Sequence, residues 1–286
     1  IGSPPSLFED DLSITLALIE PLLFRRLVAA RPRGSHKGNF GHVLVIGGAP
    51  GKTGAAAMAG IAALRAGAGL VTVACVDSSL TTVAPELMSG VFPGNAEGKD
   101  VLAVGPGLGT DSTAVELVDR GFREWAQPAV IDADGLNALA RLDWCGGKAL
   151  RVLTPHPGEM ARLTGRSTRE VQAERVESAR GLATSREVCV VLKGQRTLIA
   201  FPDGRVWINP TGSPAMATGG SGDILTGLIA GMLAQFPDRS EQAIAAAVYL
   251  HGLAGEIGAA RLGEQALIAT DLLKFLPDAI HAAAHD

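Results

Sequence analysis

Residues 42–75 read HVLVIGGAPGKTGAAAMAGIAALRAGAGLVTVAC, and this stretch decides the predicted fold. The run 42–47 is almost uniformly apolar, which predicts a buried strand that ends in a glycine-rich turn. An alanine-rich helix is predicted over Thr53–Ala66, and Leu70–Cys75 predicts the next strand. A buried strand, a helix and a second buried strand indicate an α/β fold, with a mostly parallel central sheet and helices on both faces.

The same alternation continues towards the C-terminus. Further strands are predicted at Val101–Val104, 129–132, 149–153 and 188–192, and Pro-Asp-Gly at 202–204 predicts a hairpin between 197–201 and 205–208. Helices are predicted from residue 135, over 167–183 after the capping box of Ser167 and Glu170, over 222–235, over 241–257 with Gly258 as its stop, and from a Thr270 cap to 281. We therefore expect a single domain over residues 1–286, in which 1–36 form a lead-in segment.

The composition excludes several classes of protein. Hydrophobic residues make up 47% and charged residues 19% of the 286 residues, so a large core can form and general disorder is excluded. The formal net charge of −4, without a basic cluster, gives no sign of a nucleic-acid partner. The long apolar stretch 225–262 is interrupted by Pro237 and neighbouring charged residues, so no membrane span is expected.

The termini and the cysteines indicate a cellular location. Residues 1–10 lack the basic start and the apolar block of a signal peptide, so none is expected. Three widely spaced cysteines show neither zinc spacing nor a CxxC pair, and Cys75 and Cys189 lie in apolar runs that predict buried thiols. A reducing compartment, the cytoplasm, is therefore expected.

Two glycine-rich turns resemble nucleotide motifs without matching them. The segment 47–53 (GGAPGKT) has three residues between its first Gly and the Gly before Lys52, whereas a phosphate loop needs four. It could be a plain strand-to-helix turn, a loop that contacts substrate or, against the spacing, a true phosphate loop. The segment 105–109 (GPGLG) lacks the third glycine of a dinucleotide fingerprint, but its glycines would let a ligand approach the backbone.

The strongest functional signal is the segment 216–227, MATGGSGDILTG. Three glycines lead directly into an apolar helix, so backbone amides can form an anion site at its positive end. Asp223 lies in the first turn beside that site, where a carboxylate can accept a proton from an attacking hydroxyl in phosphoryl transfer. The alternative is that Asp223 only caps the helix, which would leave the glycine cluster unexplained.

Four motifs in this chain resemble those of the ADP/ATP-dependent NAD(P)H-hydrate dehydratases, a branch of the ribokinase-like superfamily. They are DADGLN at 132–137, TPHPGE at 154–159, KGQRT at 193–197 and MATGGSGD at 216–223, and the resemblance extends from Lys37 to Ala283. It implies a ribokinase-like fold and repair of NADH and NADPH that have been hydrated at C6 of the nicotinamide ring. A nucleotide would phosphorylate the C6 hydroxyl, and phosphate would then leave.

The resemblance also implies cofactors and partners. No epimerase domain precedes the matched region, so we expect the stand-alone bacterial form, which uses ADP, with ATP as the alternative. Mg²⁺ is expected because charge between two phosphates must be neutralised. The family suggests a homotetramer.

The resemblance assigns roles to individual residues. Asp223 would activate the C6 hydroxyl, and the amides of Gly219, Gly220 and Gly222 would hold the transferred phosphoryl group of the nucleotide. The segment that matches the nucleotide-binding motif consists of Lys193, Gly194, Gln195, Arg196 and Thr197. The positions that match contacts to the hydrated dinucleotide are Ala55, Gly107, His156 and Asp223.

Other polar residues keep two interpretations each. His156 could be a solvated strand-end residue, although the resemblance favours a substrate contact. Glu159 could help to organise a magnesium ion through water, or it could only cap a helix. Of Asp132 and Asp134, one could contact substrate or order the loop.

One segment departs from the family pattern. The family usually has Asn-Pro-Gly-Met where residues 213–216 read Ser-Pro-Ala-Met. Ser213 is shorter than Asn, and Ala215 adopts positive φ less freely than Gly. We expect these changes to affect the shape of that loop and not the role of Asp223.

Two other functions remain open from the sequence. A kinase for a small hydroxylated vitamin or metabolite would use the same fold and the same Asp223 but would accumulate a phosphorylated product. A non-catalytic binding protein would not need the intact combination of glycine cluster and Asp223.

Overall fold

The computed structural model describes residues 14–75 and 84–285. The first part of the predicted lead-in segment, residues 1–13, and with it the expected lack of a signal peptide, lies outside the described residues. Within the described ranges one ten-stranded sheet has the order β1-β10-β9-β8-β7-β6-β5-β2-β3-β4. The central strands β4, β3, β2, β5, β6, β7 and β8 are parallel to one another, and β9 is antiparallel to both β8 and β10.

The strands of the sheet are β1 (Leu16–Leu18), β2 (His42–Ile46), β3 (Leu70–Cys75), β4 (Met88–Val91), β5 (Val101–Val104), β6 (Ala129–Ile131), β7 (Arg151–Leu153), β8 (Cys189–Leu192), β9 (Leu198–Ala200) and β10 (Val206–Ile208). The helices are α1 (Pro21–Phe24), α2 (Thr53–Ala66), α3 (Ser112–Glu124), α4 (Ala133–Leu139), α5 (Pro157–Thr164), α6 (Thr168–Ala173), α7 (Arg175–Arg186), α8 (Ser221–Gln235), α9 (Ser240–Leu262) and α10 (Ala269–His285).

Two hydrophobic layers lie on the two faces of the sheet, as the uniformly apolar strands predict. Alternate strand residues such as Val43 and Val45 pack with α2, α8, α9 and α10 on one face. Their neighbours Leu44 and Ile46 pack with α3, α4, α5, α6 and α7 on the other face. The predicted α/β architecture, a mostly parallel sheet covered on both sides, is therefore confirmed.

Small residues bring α2 and α8 into close contact. A Cβ atom added to Gly227 would lie 2.0 Å from the backbone oxygen of Ala59, and one added to Gly231 would lie 2.5 Å from that of Ala63. The two helices thus approach until their backbones touch, which only glycine permits at these points. This packing fixes the N-terminus of α8 relative to the sheet.

Three predicted helix boundaries were wrong. The capping box of Ser167 and Glu170 is present, but the helix it begins ends at Ala173, because Glu174 leaves the helical conformation with φ −129° and ψ 52°. Gly258 does not stop α9, which continues to Leu262, and its lack of a side chain makes room for Leu267 and Phe275. Thr270 is not a cap either, because α10 already begins at Ala269.

The helix α9 explains the long apolar stretch of the sequence. By length and composition alone, residues 237–262 could cross a membrane, but 67% of the most apolar window is buried inside the molecule. The helix packs between α8 and α10, and residues such as Ala245 and Val248 are buried in the core. It is therefore a core helix of this fold.

Candidate active site

The carboxyl ends of the parallel strands open onto a cavity of about 830 Å³. Parallel α/β sheets bind their ligands at this end. The predicted site residues that border the cavity are His156, Glu159, Lys193, Gly194, Gln195, Arg196, Thr197, Gly220, Gly222 and Asp223. Asp132 also borders this cavity, so sequence motifs spread over residues 132–223 converge on one site.

The glycine cluster shapes the N-terminus of α8 at this cavity. Gly220 is the N-cap residue and adopts φ 98°, a conformation that favours glycine, and no side chain caps the helix. Asp223 lies in the first turn and borders the cavity. The interpretation of Asp223 as a mere helix cap is therefore not supported. Gly219 lies in the exposed turn just before Gly220, and its assignment to the nucleotide stays a prediction.

The first turn of α8 offers backbone amides to an anion. The amide of Ser221 donates to the oxygen of Thr218, and that of Ile224 donates to the oxygen of Gly220. Gly222 and Asp223 lie between them, where a helix has no internal acceptors for its amides. The 15-residue helix adds the positive end of its dipole. An anionic phosphoryl group fits this position.

A buried ion pair forms the floor of the cavity. The Nζ of Lys193 at the end of β8 lies 2.7 Å from Oδ1 of Asp132 at the end of β6. The hydroxyl of Thr226 in α8 donates to the other oxygen of Asp132 at 2.8 Å. A Cβ atom on Gly222 would lie 3.2 Å from Nζ of Lys193, so glycine leaves the ammonium group room beside the helix N-terminus.

The pKa values of this pair follow from their contacts. Burial alone would raise the pKa of Asp132, but the charge and hydrogen bond of Lys193, together with hydrogen bonds from Thr226 and Thr154, lower that pKa. Burial likewise favours neutral Lys193, yet Asp132 and Glu159 outweigh it and raise the pKa of the ammonium group. Both groups are therefore charged at neutral pH, and Lys193 is a fixed cation beside the cavity.

Asp223 lies in a different electrostatic environment. Burial raises its pKa to about 6, the nearby charges of Asp132, Asp134 and Glu159 act in the same direction, and Lys193 opposes them. A carboxylate with a pKa near 6 is mostly ionised at pH 7 and is still basic enough to accept a proton. Perturbed values of this kind are typical of catalytic positions.

His156 and Glu159 cap α5 reciprocally at the rim of the cavity. The Nδ1 of His156 accepts from the amides of Gly158 (2.9 Å) and Glu159 (3.3 Å), and Oε2 of Glu159 accepts from the amide of His156 at 2.8 Å. Because Nδ1 is an acceptor here, the neutral ring carries its proton on Nε2. The side chain of His156 is 51% exposed, and its Nε2 lies 3.6 Å from Oε1 of Glu159, so the ring faces both this carboxylate and the solvent.

The two glycine-rich turns bind each other. The amide of Gly48 donates to the oxygen of Pro106 at 3.0 Å, and that of Ala49 donates to the oxygen of Gly107 at 2.6 Å. A phosphate loop would need such amides for its ligand, so the structure does not support that interpretation of 47–53. A Cβ atom on Gly107 would lie 3.3 Å from that of Ala55, which places these two predicted substrate contacts side by side.

Asp134 orders this neighbouring region. One of its oxygens accepts from the amide of Gly109 at 2.9 Å and from Nζ of Lys52 at 3.1 Å. Of the two roles considered for the carboxylates after β6, loop ordering is therefore seen for Asp134. Ala55 and Gly107 lie outside the lining of the 830 Å³ cavity, and their contact with substrate stays a prediction.

The departure from the family pattern at 213–216 has a simple structural outcome. Ser213 is the N-cap of a 3₁₀ turn over Pro214–Met216, and its hydroxyl accepts from the amide of Ala215 at 3.2 Å. Ala215 is buried and is not among the residues with positive φ. The loop therefore does not require glycine there.

Sequence analysis missed two polar groups at the site. His251 in α9 is buried, its Nε2 donates to the oxygen of Ser221 at 3.0 Å, and burial lowers its pKa to about 4. The neutral ring of His251 thus fixes the first residue of α8 through this hydrogen bond. Asn209 is buried and borders the same cavity. A single histidine within an apolar helix and a single asparagine after a strand carry no local motif.

The site fits a magnesium ion that is held mainly by phosphates. Among the described residues no group of three or more His, Cys, Asp or Glu side chains could hold a metal ion. Magnesium at phosphoryl-transfer sites usually keeps several waters and takes one or two protein carboxylates. Glu159 and Asp223 both border the cavity and can supply these.

Comparison with known proteins agrees with this geometry. Residues 43–278 match the family described as NAD(P)H-hydrate dehydratase. The chain belongs to the NAD(P)H-hydrate dehydratase family. It is 36% identical to the ADP-dependent (S)-NAD(P)H-hydrate dehydratase of Bacillus subtilis, over 88% of this chain and 94% of that protein.

Bifunctional relatives are longer than this chain. It is 44% identical to the bifunctional NAD(P)H-hydrate repair enzyme of Moorella thermoacetica, over 93% of this chain but 56% of that enzyme. The chain therefore spans about half the length of such relatives. A crystal structure of the Bacillus subtilis dehydratase, crystallised with ATP and Mg²⁺, superimposes with a TM-score of 0.87 at 34% identity, over 94% of this chain and 99% of that one.

These comparisons also confirm the predicted ribokinase-like fold. A ribokinase-like superfamily protein from Enterococcus faecalis superimposes with a TM-score of 0.85 at 30% identity and covers 96% of this chain. A hydroxyethylthiazole kinase from Pyrococcus horikoshii shares the fold at 16% identity. That identity carries no information on activity.

Proposed function

We propose that this chain dehydrates the C6-hydrated forms of NADH and NADPH to NADH and NADPH and converts ADP to AMP and phosphate. The observation that carries the proposal is Asp223, a carboxylate with a pKa of about 6 in the first turn of α8, at the wall of the cavity. Family membership and the dehydratase relatives support the same conclusion. ATP is the alternative nucleotide.

The reaction divides into two steps at this site. Asp223 accepts the proton of the C6 hydroxyl while the oxygen of that hydroxyl attacks the terminal phosphorus of ADP. AMP then leaves. The C6–O bond then breaks, phosphate departs, and loss of the C5 proton restores the 5,6 double bond. Phosphorylation is needed because hydroxide is a poor leaving group.

The chain's own groups supply the charge stabilisation. Lys193 and the first-turn amides of α8 bind the transferred phosphoryl group, whose charge is spread over its oxygens in the transition state. The loop 193–197 binds the rest of the nucleotide. A magnesium ion bound to the phosphates would neutralise the charge between them, with Glu159 as a contact through water.

The substrate side is built from the neighbouring loops. Ala55 and Gly107, which lie side by side in the two glycine-rich turns, contact the dinucleotide, and the half-exposed ring of His156 contacts it at the rim. We further propose that the enzyme works in the cytoplasm as a homotetramer. The three widely spaced cysteines, which show neither zinc spacing nor a CxxC pair, suit a reducing compartment. Light scattering in solution would test the tetramer.

One experiment tests the function directly. The protein is mixed with hydrated NADH, Mg²⁺ and either ADP, ATP or no nucleotide, and the return of dihydronicotinamide absorbance is followed. Recovery with ADP supports the whole proposal, and recovery only with ATP supports the chemistry but corrects the nucleotide. No recovery by folded, nucleotide-binding protein would contradict it, and a phosphorylated product that accumulates would identify a kinase.

A further inference from the structure

We propose that Arg175 is a positioning residue that fixes the nucleotide-binding loop 193–197 from its outer side. Arg175 is the first residue of α7 and does not belong to the motifs that resemble the family. The inference rests on the proposed function, because it assigns the loop to the nucleotide.

The guanidinium group of Arg175 donates to three backbone oxygens, one at the end of β8 and two in the loop. Nη1 donates to the oxygen of Gln195 at 2.5 Å, and Nη2 donates to those of Leu192 at 3.2 Å and Lys193 at 3.4 Å. A Cβ atom on Gly194 would lie 3.3 Å from Nη1, so the loop backbone lies directly on the guanidinium group. The guanidinium group presents five donors in a rigid planar fork that spans neighbouring carbonyls, whereas the three donors of a lysine ammonium all come from one nitrogen.

These contacts determine where the loop amides point. In a planar trans peptide the oxygen and the following N–H point in opposite directions. Because the oxygens of Lys193 and Gln195 face Arg175, the amides of Gly194 and Arg196 face away from it. The loop borders the cavity and Arg175 does not, so the side away from Arg175 is the nucleotide side.

The backbone of the loop needs this support. Gly194 has φ 131°, and Arg196 has φ 54°, which a residue with a side chain rarely adopts. Such conformations persist only where the surroundings enforce them. The Nε of Arg175 is buried without a hydrogen-bond partner among the described residues, an unfavourable feature that an apolar side chain would avoid. Holding the loop accounts for a guanidinium group at this position.

The test compares Arg175→Gln with Arg180→Gln. Arg180 lies on the same helix, is also half-buried, and donates through Nε to a loop oxygen, that of Gly204 at 3.0 Å, in the hairpin away from the cavity. The dissociation constants of ADP with Mg²⁺ and of hydrated NADH are measured by calorimetry, and thermal unfolding checks the fold. We expect Arg175→Gln to raise the dissociation constant of ADP by about 10- to 100-fold, since charge-assisted hydrogen bonds that hold the loop are lost.

The other measurements separate positioning from general stability. In Arg180→Gln the dissociation constant of ADP should stay within about twofold of the wild-type value. In both variants the dissociation constant of hydrated NADH should stay unchanged. Unchanged ADP affinity in Arg175→Gln, or an equal loss for both ligands, would overturn the proposal. If Arg175→Gln does not fold, Arg175→Lys replaces it, and wild-type ADP affinity there would also overturn it. If the wild-type protein binds ADP but does not dehydrate hydrated NADH, the proposed function is refuted and the role of Arg175 is not, because the comparison of the variants needs only ADP binding.

Discussion

The raised pKa of Asp223 predicts how the activity depends on pH. Only the ionised carboxylate accepts a proton, and with a pKa of about 6 it is about 90% ionised at pH 7 and about 10% ionised at pH 5. The rate constant kcat/KM should therefore fall about tenfold for each pH unit below 6. An aspartate with an ordinary pKa near 3.8 would keep its full activity at pH 5.

A single substitution tests the cause of this pH dependence. The charge of Asp134 contributes to the raised pKa of Asp223, so Asp134→Asn should move the acid limb to lower pH. Asp119→Asn removes an exposed carboxylate that pairs with Arg123 on α3, and it should leave the limb in place. Absorbance recovery from hydrated NADH gives kcat/KM between pH 4.5 and 8, and circular dichroism confirms that the protein stays folded. A limb near pH 4 in the wild type, or equal limbs in wild type and Asp134→Asn, would refute the reasoning.

Three further predictions concern catalysis, metal dependence and packing. Asp223→Asn should lower turnover by about 10²- to 10⁴-fold while ADP still binds, and near-normal turnover would remove Asp223 from the mechanism. Excess EDTA should abolish turnover, and full activity in EDTA would contradict the metal requirement. Gly227→Ala should lower the free energy of unfolding by about 1–3 kcal/mol, since the added Cβ would clash with the oxygen of Ala59. Gly181→Ala has open space around the added Cβ and should raise the free energy of unfolding by about 0.5–1 kcal/mol. Urea titrations that show equal effects of the two substitutions would contradict this.

The elements that the sequence predicts well are those whose local signals agree. The bounds of β2, α2 and β3 follow from apolar runs that glycines interrupt, and the helix Thr53–Ala66 is found where it was expected. Helix α3 (Ser112–Glu124) and strand β4 (Met88–Val91) were not predicted. Strand β4 is short and largely exposed at the edge of the sheet, so it has no buried pattern to read.

Errors at helix ends arise from tertiary contacts. Gly258 reads as a stop signal because glycine weakens helices, but Leu267 and Phe275 pack into the space that a side chain would fill. At the candidate site, local motifs point to Lys193 and Asp223, but tertiary contacts again escape the sequence. Arg175 and His251 act across long sequence distances on the backbone of other elements. Only the fold reveals such contacts.

The charges around the cavity favour a nucleotide that enters with a metal ion bound. The charged side chains that border it are the carboxylates Asp132, Glu159 and Asp223 and the cations Lys193 and Arg196. Lys193 is already paired with Asp132, so it attracts an incoming phosphate less strongly than an unpaired ammonium group would. Burial raises the pKa of Asp223, and the neighbouring carboxylates raise it further. The same excess of carboxylates repels a nucleoside diphosphate that carries no cation. In the proposed reaction, proton acceptance by Asp223 and dependence on a divalent cation would therefore both follow from one charge distribution.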